Sequence, residues 1–125
     1  MLSMKEVNHF RVFGYVVLRG LLPHDQMEHL QVIFDREIET NPEVQSKGSD
    51  GAKFISPYCD TDVAFARLIY HPGLMEAMRD LDGTEFIYFG GSMDLSHGTE
   101  WHCDFNPPYF ESRPVKSMFY LDEMK

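Results

Sequence analysis

The hydrophobic pattern of this chain changes period at Gly83, and that change limits what the chain can fold into. Before it, apolar residues recur three and four apart, as on one face of a helix: Met27, Leu30, Phe34 and Ile38, then Leu74, Met78 and Leu81. After it, "TEFIYFGGSMDL" alternates, with Ile87, Phe89, Met93 and Leu95 on one face and Phe86 and Tyr88 on the other. "GTEWHCDF" and "PVKSMFYLDE" read as the next strands. Helices followed by antiparallel strands predict an α+β fold, a sheet packed on one side by helices. The 125 residues suffice for one domain, 1–125.

Local signals divide the first half. Ser3 with Glu6 three residues on is a capping box, predicting a helix to about Val12 that ends near Gly14. "YVVLRGLL" reads as a strand. Pro23 suits the first turn of a second helix, with Asp25 and Glu28 near its positive end, and Asn41-Pro42 stops it near Glu39. "PEVQSKGSDGAKF" is a polar, glycine-bearing loop, the best candidate for a mobile lid or surface excursion. "DTDVAFARLIY" and "HPGLMEAMRDL" are two short helices, broken at His71-Pro72-Gly73. Gly90-Gly91 permits a bulge or the close approach of another backbone.

Charge excludes some partners. A formal net charge of −9 opposes nucleic acid or an anionic membrane surface as the main partner, because both select basic faces. No apolar run approaches the ~20 residues of a membrane helix, and "MLSMKEVNHF" has no basic start or apolar core of a secretion signal. The chain therefore reads as cytoplasmic, where Cys59 and Cys103 are expected as free thiols. The eight methionines are expected to fill the core.

Within "GTEWHCDFNPPYF", strand alternation turns His102 and Asp104 to one face and Cys103 to the other. An imidazole and a carboxylate about 6–7 Å apart along the backbone can converge on one metal ion. The plainer alternative is a solvated polar face opposite Trp101, Cys103 and Phe105. His24 and His29 lie five apart, about 140° around a helix, and make a poor ligand pair. With His9 and His71 they are expected in surface or packing roles. His97, at the turn into the His102 strand, is the other histidine near the pair.

The order "FGYVVLRGLLPHDQMEHL", "FARLIYHPGLMEAMRDLDG", a glycine-bearing strand, "WHCD" and "VKSMFYLDEM" resembles the phytanoyl-CoA dioxygenase family across nearly the whole chain. Members are non-haem Fe(II), 2-oxoglutarate-dependent oxygenases built on a double-stranded β-helix, a jelly-roll or cupin-like barrel. The resemblance implies that His102 and Asp104 belong to a triad of two histidines and one carboxylate on Fe(II). Lys53 is similar to a family lysine near 2-oxoglutarate, and Lys116, Ser117 and Tyr88 fall on expected strands beside the same pocket. The loop at residues 106–109 would sit at its mouth. The implied reaction is hydroxylation of a small organic substrate, coupled to decarboxylation of 2-oxoglutarate to succinate. Halogenating relatives replace the carboxylate ligand with a small residue, and Asp104 is present.

The chain also departs from the family. No histidine follows His102, and the last arginine is Arg113, so the late histidine ligand and the arginine that anchors 2-oxoglutarate have no counterpart. The domain is expected to be incomplete, the N-terminal portion of such an oxygenase, and inactive or nearly so by itself. The alternative is a non-catalytic module for metal binding or dimerisation built on the first half of the fold, a homodimer then covering an open sheet edge. A zinc reading through His97, His102, Cys103 and Asp104 is opposed by strand alternation, which turns Cys103 away.

Overall fold

A computed structural model describes residues 1–47, 51–83, 86–96 and 114–121. Its elements are helix α1 (Met4–Phe13), helix α2 (His24–Thr40), strands β1 (Gln45–Lys47) and β2 (Ala52–Ile55), a 3-10 turn at Tyr58–Asp60, helices α3 (Val63–Ile69) and α4 (Pro72–Asp82), and strand β3 (Met93–Leu95). The fold is α+β, with a small antiparallel sheet in the order β1-β2-β3.

The helix ends follow from local chemistry. Ser3 Oγ accepts the Glu6 amide at 3.3 Å while the Glu6 carboxylate accepts the Ser3 amide at 2.8 Å, completing the capping box on α1. Gly14 closes that helix in the left-handed region at φ 81°, which costs a residue without Cβ little. Asp62 caps α3 by accepting the Ala64 amide at 2.8 Å. Pro72 opens α4, where its missing N–H would lack a helical partner anyway.

The core joins helices to sheet. Leu30 and Ile33 of α2 and Phe65 and Leu68 of α3 pack with Ile55 of β2 and Met93 of β3. Leu30 is only 1% exposed. Phe119 and Leu121 pack against the same cluster from the C-terminal segment. Helix α1 lies against α4 and buries Val7. A charged tie holds α2 to α3: Arg36 bonds Glu37 Oε1 at 2.8 Å and reaches the capping Asp62 at 3.3 Å.

Four expectations need correction. "YVVLRGLL" forms no strand; Tyr15 and Val17 stay about half exposed, and the run reaches the core at Leu22. Its β-branched residues favour extended backbone, but no neighbouring strand supplies a ladder among the described residues. The polar loop is instead the start of a hairpin, since β1 pairs with β2 in the register Gln45↔Phe54, Ser46↔Lys53 and Lys47↔Ala52. Among the described residues of "TEFIYFGGSMDL" only Met93–Leu95 is strand, and Ile87 and Phe89 are 87% and 72% exposed. Residues 114–121 form no strand, though two of their side chains reach the core.

Candidate functional site

Strand β2 organises the region around the expected site. It pairs with β3 so that Lys53 faces Leu95, Phe54 faces Asp94 and Ile55 faces Met93. Alternation then puts Lys53, Ile55, Met93 and Leu95 on one face of the sheet. Ile55 and Met93, at 2% and 5% exposed, lie under α2 and α3. Lys53 is partly buried and Leu95 is 42% exposed, so the face opens to solvent at their end.

The other end of the ladder is fastened at Gly91. Its carbonyl accepts Ser56 Oγ at 3.3 Å and the Tyr58 amide at 3.4 Å. A Cβ added to Gly91 would collide with the Tyr58 ring and stand 3.2 Å from the Tyr88 hydroxyl. The two phenols are hydrogen-bonded to each other. Burial pushes the Tyr58 hydroxyl above the usual phenol range, the bond to Tyr88 opposing it. Burial, followed by the neighbouring Tyr58 and Cys59, pushes Tyr88 up as well. Both phenols are thus protonated at neutral pH, suited to donating hydrogen bonds and unsuited to ligating a cation as phenolates. The glycine pair left open a bulge or the close approach of another backbone; what crowds Gly91 is the Tyr58 side chain, too far along the chain for spacing to reveal.

His102 and Asp104, the expected iron ligands, lie outside the described residues, as do His97, Cys103, Arg113 and the loop at 106–109. Tyr88 is 45% exposed in the tyrosine pair, while Lys116 and Ser117 are exposed on a segment that is not a strand. Cys59 is a free thiol, as expected. Of the upstream histidines, His9 packs against the Phe13 and Tyr15 rings and His24 pairs with Glu28 at 3.3 Å. His29 is exposed, and His71 keeps a buried Nδ1 without a hydrogen-bond partner. Among the described residues no three His, Cys, Asp or Glu side chains gather closely enough to hold a metal ion. No helix among them is long and apolar enough to cross a membrane.

Comparison with known proteins returns no match to a family model, a curated protein or a solved structure.

Proposed function

We propose that the chain is part of an Fe(II)/2-oxoglutarate-dependent dioxygenase that hydroxylates a small organic substrate, its sheet forming one portion of a double-stranded β-helix. One observation carries the reading: the β2–β3 register sets Lys53 opposite Leu95, at the open end of the sheet. His102 and Asp104 follow β3 in the sequence. An ammonium on the strand that pairs with β3, with an imidazole and a carboxylate following β3 in the sequence at a spacing that would share a face on a strand, suits a site for an anionic co-substrate and a divalent metal. The element order supports the reading in part: two helices, the β1–β2 hairpin whose second strand bears Lys53, a helix pair, and β3 before His102 in the sequence, without the strand expected at "YVVLRGLL".

In this reading His102 Nε2 or Nδ1 and an Asp104 oxygen hold Fe(II), and Lys53 neutralises a carboxylate of 2-oxoglutarate. The metal and co-substrate supply the oxidising chemistry for inserting oxygen into a C–H bond. The chain's own residues bind and orient: the imidazole contributes a neutral donor, the carboxylate offsets part of the metal's charge, and Lys53 fixes one end of the co-substrate. Neither Arg113 nor any later residue takes the place of the family's late arginine and histidine, so the chain by itself should bind Fe(II) weakly and turn over little.

Anaerobic Fe(II) titration, followed by succinate release from 2-oxoglutarate in air, tests the reading. His102→Ala and Asp104→Ala should each abolish the weak metal binding, whereas His24→Ala should leave it unchanged. Lys53→Ala should weaken 2-oxoglutarate binding to the metal-loaded chain while leaving Fe(II) affinity within about twofold, or ~0.4 kcal/mol, because Lys53 is not a proposed ligand. Equal Fe(II) affinity in the wild-type chain and both ligand variants would remove the iron reading. Robust succinate formation by the unaltered chain would show instead that the two-ligand argument is wrong.

A further inference from the structure

We draw no further inference here: the strongest candidate, the open cleft between α1 and α4 lined by Leu18, Leu21 and His71, presents charges of both signs at Arg19 and Glu6 that select no ligand class, and the unpartnered Nδ1 of His71 is sealed beneath its surface.

Discussion

The residues before Gly83 and those after it obey different rules. In the first region most helix ends coincide with a residue whose own chemistry sets them: Ser3 and Gly14 for α1, Asp62 for α3, Pro72 and Gly83 for α4. Such signals act over one turn and need no distant partner. Among the described residues of the second region the alternating apolar pattern yields only Met93–Leu95 as strand, the segment whose neighbour β2 is in place. Ile87 and Phe89 follow the same pattern but remain exposed. A helix satisfies its backbone internally, whereas a strand must find a ladder, so alternation gives a face without guaranteeing a partner.

The sharpest test of that contrast lies where the two regions meet. Leu30→Ala should destabilise by about 2–5 kcal/mol, since the side chain it truncates is sealed among α3, β2 and β3. Urea unfolding monitored by circular dichroism would measure it. A loss below about 1 kcal/mol would mean that helices and sheet do not share one core.

Gly91→Ala probes the second region alone. The new methyl group meets the Tyr58 ring, so a loss of about 1–3 kcal/mol is expected. Gly90→Ala is the control, because nothing lies within 4 Å of its added Cβ. Similar melting temperatures for the two variants would show that the run before β3 is not fastened to the 3-10 turn.

Asp62→Ala tests the tie between α2 and α3 and should cost about 1 kcal/mol, the usual loss of a capping carboxylate. The same group predicts a pH dependence. The Ala64 amide, then Arg36, hold the Asp62 carboxyl below its ordinary value; Asn41, then Arg36, do the same for Glu37. A lowered folded pKa means that the unfolded state binds more protons near pH 4, so stability rises with pH there. The contribution is complete above the ordinary carboxylate values and is lost as pH falls through the lowered ones. Thermal melts of wild type should therefore fall in acid more steeply than those of Asp62→Ala, and parallel curves would count against the tie.

The smallest effect is expected at Ile87. Ile87→Ser should change stability by less than about 0.5 kcal/mol, because the side chain is almost fully exposed. A larger loss would place Ile87 in a packed contact and narrow the difference between the two regions.

From the residues alone one can read the α+β class, four helices among the described residues with most of their boundaries, and an unusual backbone requirement at Gly90-Gly91. Each depends on a cap, a proline, a glycine or a repeat within a few residues. Lys53 was legible as a strand residue before the helix pair, but its register against Leu95 and the face it shares with Ile55 and Met93 were not. Those depend on which strands pair, and a shift of one residue would turn Lys53 to the opposite face. The tertiary structure also decided that "YVVLRGLL" stays irregular and that the polar stretch before "GAKF" becomes the partner strand. Hydrophobic alternation and β-branching state a preference for extended backbone; hydrogen-bonding neighbours, brought together by the fold, determine which extended segments become a sheet.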